Sequence, residues 1–279
     1  MTAREDQAQA VVGDGERRQV RRIGKRLRLV RAKTKIRDAK IPYEVPEASQ
    51  LPERTDAVMS VIYLIFNEGY AATAGDSWLR RDLCREAIRL GRLLVELSDA
   101  PEAKGLLALM LLHDSRRDAR TDPAGDIVLL EDQDRTTWDR AQIAEALPLV
   151  PLALVGAGPY ALQAAIAALH AQAERAADTD WPQIAALFAE LERRQPTPVV
   201  ALNRAVAVAM WRGPEEALPL LDGLAGELGD YHLWHAARAD LLRRLGRDAD
   251  AKAAYRAALE HVGSAPERRF LERRLAAIG

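Results

Sequence analysis

Apolar and polar positions along the chain alternate with a helical period almost throughout. Val58, Val61, Ile62 and Ile65 follow the i, i+3, i+4, i+7 spacing of one helical face, and Ala57, Leu64 and Phe66 extend the apolar surface most of the way round, so this helix is expected to be buried. Gly69 supplies its stop. A second helix is predicted to open near Asp76 or Ser77, both good caps, and to run with Leu79, Leu83, Ala87, Leu90, Leu94 and Leu97 along one face. Pro101 and Glu102 start a third, whose apolar run Gly105 to Leu112 is too short to cross a bilayer and suits a central packed helix. Gly125 to Leu130 reads as a short strand or an extended buried segment, and Trp138 to Leu147 as helix again.

The C-terminal half reads as helix pairs separated by turns, and it repeats. Ala217 and Ala251 stand 34 residues apart, as do Leu221 and Tyr255, and Leu224 and Ala258, while Gly213 and Gly246 stand 33 apart. This is the tetratricopeptide period, in which small residues let paired helices approach and a tyrosine fills the groove between them. Leu245 to Glu260 matches its Gly, Ala, Tyr, Ala, Leu pattern; Val199 to Glu227 is a degenerate copy, and Tyr160 to Arg194 another, with Trp181-Pro182 at its turn. About three pairs bury a continuous core, and the charged helix Glu267 to Ile278 has the composition of a cap. The expected fold is all-α: an array of helical hairpins with a tetratricopeptide-like right-handed solenoid in the C-terminal half. Its concave face is expected to bind a protein or peptide, or to serve a structural or dimerising role.

Composition agrees with that class. The 279 residues include 48% hydrophobic and only 5% aromatic side chains. A single cysteine, Cys84, excludes an intrachain disulfide and a multi-cysteine zinc site, and it is expected to be a buried inert thiol in a reducing, cytoplasmic setting. The polar stretch Met1 to Glu16 lacks the apolar core of a secretory signal. Ala146 to Ala173 carries no charged residue, yet Pro148, Pro151, Pro159, Gly156 and Gly158 break it, so no membrane span is expected.

Charge changes the picture at one end. Forty Lys and Arg nearly balance 41 Asp and Glu, for a net charge of −1. Between Glu16 and Lys40, however, twelve cations face two acids, a local +10 that leaves −11 for the rest. As a helix this arm would set Val20, Ile23, Leu27 and Val30 on one side and cations on the others. Three readings remain open for it: nucleic-acid contact, a solvated basic tail, and a membrane-surface helix. Pro42, Pro46 and Pro52 then mark an extended connector. The expected organisation is a basic arm at 1–40, a proline-containing linker at 41–52, a helical domain at 53–150 and the repeats at 151–279.

Catalytic or metal chemistry finds no constellation. His232 and His235 share a helix face but have no acidic partner at ligand spacing, and they read as packed or surface histidines. The dipeptide His113-Asp114 has no second His/Asp pair to support it. Glu131, Asp132, Asp134 and Asp139 lack the glycine and terminal glutamate of an EF-hand loop, and are expected to cap helices near Trp138. Phosphate-loop, dinucleotide and nucleophile-elbow motifs are missing, so we expect no enzyme, no cofactor and no metal.

The run Arg28-Leu29-Val30-Arg31-Ala32-Lys33-Thr34-Lys35-Ile36-Arg37-Asp38-Ala39-Lys40-Ile41-Pro42, followed by Leu51-Pro52-Glu53-Arg54, Tyr63 to Tyr70, Leu106 to Asp114, Leu129 to Arg135 and Tyr231 to Gly246, resembles bacterial RNA polymerase sigma factors of the extracytoplasmic-function type that carry a helical, tetratricopeptide-containing C-terminal extension. Asn67-Glu68-Gly69-Tyr70 and Leu129-Leu130-Glu131-Asp132-Gln133-Asp134-Arg135 are its most specific stretches, and the resemblance covers about nine tenths of the chain. It implies that Arg28, Arg31, Lys33, Lys35 and Arg37 close the promoter-reading helix of region 4, contacting DNA mainly through phosphates. It also implies promoter DNA and RNA polymerase core as partners, and an extension that regulates the sigma regions or binds a signalling partner. The chain departs from the family before Arg26, where neither region 2 nor the early helices of region 4 are recognisable. A truncated sigma factor is therefore expected, or else a stand-alone tetratricopeptide-like scaffold that does not bind DNA.

Overall fold

The computed structural model describes residues 47–70 and 80–278. The basic arm with Arg28, Arg31, Lys33, Lys35 and Arg37, and the proposed cap residues Asp76 and Ser77, lie outside the described residues. Residues 54–279 make one compact unit. Its first half contains α1 (Leu51–Tyr70), α2 (Arg81–Leu97), α3 (Pro101–Asp114), α4 (Arg140–Ala146), α5 (Leu149–Leu154) and α6 (Pro159–Gln172). The second half continues with α7 (Trp181–Arg194), α8 (Pro198–Arg212), α9 (Pro214–Asp222), the single turn α10 (Ala225–Leu228), α11 (His232–Arg244), α12 (Asp248–His261) and α13 (Ala265–Ala276). The linker expected to run to residue 52 gives way to α1 at Leu51, since a proline fits the first turn of a helix, where its missing N–H is not needed.

No strand occurs among the described residues. The segment expected to extend at Gly125 to Leu130 is a turn closed by an isolated antiparallel bridge, Thr121 to Ile127, with Val128 N donating to Arg120 O at 3.0 Å. The expected helix at Trp138 starts later, at Arg140. Asp134 and Asp139 do act as caps: Asp134 accepts from Thr136 N, and Asp139 accepts from Ala141 N and Gln142 N. Helix starts elsewhere obey the same chemistry, with Asp180, Thr197 and Ser264 each accepting a backbone N–H of the first turn.

Helix α3 is the axis of the first half. Leu106 to Leu112 are all buried, and α2, α4, α5 and α6 pack around them. The approach of α6 depends on glycine: a Cβ on Gly105 would stand 2.7 Å from Ala161 N. Glu102 then closes the joint, its two carboxylate oxygens accepting Tyr160 N at 2.9 Å and Ala161 N at 3.0 Å and so capping α6 from another helix. The domain boundary expected at 150/151 falls inside α5, and one core cluster runs from Met59 to Ala171 across it.

The faces predicted for α1 and α2 hold in part, with Ile62, Phe66 and Ala87 buried, and are corrected at Val58, Val61, Leu64 and Leu97, which are exposed. Met59, Ile62, Phe66 and Gly69 of α1 enter the core, and so do Cys84, Ala87, Ile88 and Gly91 of α2. Val61 is 56% and Leu97 77% exposed. Small residues decide this orientation. A Cβ on Gly69 would lie 2.8 Å from Cys84 N, and one on Gly91 would lie 2.7 Å from Met110 Cε, so the glycine sides are the ones that fit so close a contact. Val58, Val61 and Leu64 of α1, and Leu93 and Leu97 of α2, are turned outward.

The second half follows its expected periodicity. Pairs α6–α7 and α8–α9 coincide with the predicted units Tyr160 to Arg194 and Val199 to Glu227, while Leu245 to Glu260 covers α12 and the turn before it, with α11 packed against α12. Ala217 and Ala251, and Leu221 and Tyr255, occupy one buried core. The turn glycines Gly213 and Gly246 both have positive φ, +99° and +69°. After α11, Gly246 N donates to Arg243 O and Arg247 N to Leu242 O, the paired bonds of a Schellman ending that glycine makes accessible. Trp234 Nε1 donates to Leu221 O at 2.8 Å, tying neighbouring units.

Candidate functional site

Three features of the compact unit concern function. The first is a polar cluster where α1 ends. Tyr70 Oη accepts from Arg116 Nη2 at 2.6 Å and lies within hydrogen-bond distance, 3.3 Å, of His113 Nδ1. Arg120 donates to Tyr70 O at 2.5 Å, and its guanidinium carbon sits 3.4 Å from the Tyr70 ring centroid. Burial holds His113 well below the usual histidine range, helped by Arg116 and Arg120, and lowers Arg120 to about 10. Beside it, Asp114 is buried and accepts from Arg117 Nη1 at 2.5 Å and Gln142 Nε2 at 3.1 Å. His113 and Asp114 are thus spent on separate internal partners, and no metal-holding group of histidines, cysteines and carboxylates occurs among the described residues.

Arg135 extends the cluster to α6. Buried, it donates Nη1 to His170 O at 2.5 Å and Ala173 O at 2.9 Å, satisfying carbonyls at the helix end, while its guanidinium covers the Trp138 ring. Leu130 and Trp138 reach the wall of a cavity that His113, Arg116 and His170 complete. The stretches ending at Tyr70 and at Arg135, 65 residues apart in the chain, therefore converge on the turn after α3. Tyr70 and Arg135 are legible in the sequence only as ends of motifs; Arg116, Arg120 and His170 carry no sequence signal of their own.

The second feature is a groove of about 440 Å³ between α1 and α2, lined wholly by aliphatic residues that include Val58, Val61, Leu93 and Leu97. The third lies among α7, α8 and α9, a cleft of about 280 Å³ where Arg204 Nη1 meets Glu192 Oε2 at 2.7 Å beside Ala201, Pro219 and Leu224. The remaining candidates from sequence are structural. Cys84 is buried, and burial pushes its thiol up to about 11. His235 Nε2 contacts Gly229 O at 2.7 Å, and its ring stacks on His261. No helix among the described residues is long and apolar enough to cross a membrane.

Residues 54–154, which span the polar cluster as far as Trp138, match a family of unknown function (DUF6596). An uncharacterized protein of Rhizobium meliloti (strain 1021) is 49% identical over 251 residues, covering 89% of this chain and 59% of its own length. The chain thus spans little more than half of that relative. The crystal structure of a thermophilic TPR protein of Thermus thermophilus superposes with a TM-score of 0.51 at 20% identity, over 80% of this chain and 98% of that one. The fold is an all-α, tetratricopeptide-like helical array.

Proposed function

We propose that the chain is a sigma-factor-like transcription protein of the cytoplasm whose described part is a regulatory extension. The observation that carries this reading is that the two stretches most specific to the resemblance, Asn67 to Tyr70 and Leu129 to Arg135, meet around the turn after α3: Tyr70 bonds Arg116 and contacts His113, and these share a cavity wall with Leu130. Their meeting explains why residues far apart in the chain would be specified together. The relative from Rhizobium meliloti supports it by being longer, with room outside the match for the polymerase-binding and promoter-melting regions. In this reading Arg28, Arg31, Lys33, Lys35 and Arg37 touch promoter phosphates, and RNA polymerase core is the larger partner. The helical array offers its surface to a protein or peptide.

The second reading is a protein-interaction scaffold without DNA binding, favoured by the cleft at Glu192 and Arg204. A duplex titration separates the two. Preference for a promoter-like sequence over a scrambled duplex, persisting as salt is raised, supports the sigma reading, whereas affinity that is equal for both duplexes and vanishes with salt leaves only phosphate attraction and favours the scaffold. Reading the DNA upstream of the Met1 codon in all three frames adds an independent check, because a frame encoding region 2 would make this chain part of an intact sigma factor.

A further inference from the structure

The groove between α1 and α2 presents no polar side chain along its length. Val58, Val61 and Leu64 of α1 and Leu93 and Leu97 of α2, on it or at its edge, are between 42% and 77% exposed, which leaves on the order of 500 Å² of aliphatic surface in water. A patch of that size, built continuously from two helices, differs from aliphatics exposed singly and marks a place where something packs.

Its chemistry restricts the occupant. These walls offer no side chain that donates or accepts, so an extended peptide laid there would bury backbone N–H and C=O groups without partners. A helix satisfies its own backbone and presents side chains alone, so the occupant is helical and aliphatic on one face. The chain carries such a face itself, in the two helices that make the groove. A second copy brings two helices onto two helices, and a two-fold arrangement sets the same aliphatics against one another and closes on itself. Two such faces bury on the order of 1,000 Å² in all, the size from which specific interfaces begin.

Charge at the ends of the groove fits the same occupant. The end of α1 lies beside the start of α2, where Arg80 N donates to Gly69 O at 2.8 Å, and the groove follows both helices away from that joint. On α1 the lined stripe opens one turn earlier with Arg54 and closes one turn later with Glu68. On α2 the row of Leu93 runs from Arg89, which also binds Glu86 on its own helix, to Glu96. Each end of the groove therefore carries one cation and one acid, Arg54 with Glu96 and Arg89 with Glu68. Laying α1 antiparallel on α1, or α1 on α2, opposes cation to acid at both ends, so the face is complementary to itself in charge as well as in apolarity.

We propose that α1 and α2 are the dimer interface of this protein, a second copy packing across the groove about a two-fold axis to make a four-helix bundle. The face shares no residue with the cleft at Glu192 and Arg204, so dimerisation and binding at the repeats draw on different surfaces.

Sedimentation equilibrium of the full chain tests this. Between about 1 and 100 µM the average mass is expected to rise from that of one chain, 30.8 kDa, to twice that value and no further. Val61→Glu and Leu97→Glu, at positions that are exposed in the single chain and so need not bury the new charge to fold, should each weaken self-association by about a hundredfold or more. Leu233→Glu, an equally exposed aliphatic on the repeats, should leave it unchanged. Amide hydrogen exchange provides the second readout: raising the concentration should slow exchange in α1 and α2 of the parent chain, and not in α11 to α13. A chain that stays monomeric throughout the range overturns the proposal and leaves the face to a helix of another protein. An association that survives both glutamates, or whose exchange protection falls outside α1 and α2, overturns it as well, by assigning the contact to another surface.

Discussion

Between Leu202 and Ile278 the core is one apolar cluster, mostly alanines and leucines, with Trp234, Tyr255, Val262 and Ile278. Around Tyr70, by contrast, the chain buries Arg120 and Arg135 and sets His113 and His170 on one cavity wall, with one set of bonds tying the turn after α3 to α1 and another tying the loop before α4 to α6. Apolar packing of the first kind is tolerant, because its energy scales with area and many side chains of similar volume suffice. The second kind is not, since each buried cation must find acceptors or cost several kcal/mol. A stack of helices needs only the first kind to stand. The second therefore marks the part of the molecule where specific residues matter for more than shape.

The largest expected effect breaks the apolar side of that contrast. Tyr255 is 1% exposed and fills the space between helix pairs, so Tyr255→Ala should cost about 3–5 kcal/mol in urea unfolding, with the signal from Trp234 lost before that from Trp138. In the first half, Gly105→Val forces a side chain onto the backbone of Ala161, and about 2–3 kcal/mol is expected because backbone cannot yield as a flexible side chain does. Gly246→Val, at a turn with open space and positive φ, should cost less, about 1–2 kcal/mol.

A smaller change sharpens the polar side. Tyr70→Phe removes the hydroxyl shared by Arg116 and His113 and should cost about 1–3 kcal/mol, far more than the loss of one oxygen from a surface tyrosine. Acid should single out the same region. His113 and His170 are both held below the usual histidine pKa, so the unfolded chain binds their protons first as the pH falls. Their contribution is intact above about pH 6.5 and is lost progressively toward about pH 4, where His170 itself titrates. His170→Gln should flatten that decline in unfolding midpoints between pH 7 and 4. Equal slopes in wild type and variant would show that His170 titrates alike in both states.

Legibility follows the same division. The repeats are readable because Ala217, Ala251, Leu221 and Tyr255 answer one another at a fixed period, and Gly213 and Gly246 carry the turn geometry in their residue type. The faces of α1 and α2 mislead because both helices are apolar on two sides. Spacing selects Ile62 and Ala87, which are buried, together with Val58, Val61 and Leu97, which are not; the close contacts at Gly69 and Gly91 turn the buried face away from the latter. The polar cluster is out of reach for another reason: Arg116, Arg120, Arg135 and His170 each look like ordinary surface residues until the fold brings them together. Charge at the end of the apolar run, Asp114 to Arg120, is the nearest signal.

A half-exposed contact across the two regions tests whether they act as a unit. Asp126, in the turn after the Thr121 bridge, accepts from Arg269 Nε at 2.6 Å and pairs with Arg273, both on α13, while Arg269 also reaches Gly125 O at 3.4 Å. The terminal helix of the repeats thus touches the loop that follows the polar cluster. Arg269, with Arg273, holds the Asp126 carboxyl below the usual carboxylate range, so its contribution is present above about pH 4 and lost as the pH falls further. Both arginines are half exposed, and salt screens such pairs. Asp126→Asn should therefore lower the unfolding midpoint only slightly at low salt and not at all near 1 M, where the Debye length is about 3 Å. The informative quantity is whether Asp126→Asn adds to Tyr255→Ala. Strict additivity would mean that the apolar repeats and the polar cluster unfold as one cooperative body, whereas an effect of Asp126→Asn that disappears in the Tyr255→Ala background would mean that the repeats have already parted from the loop.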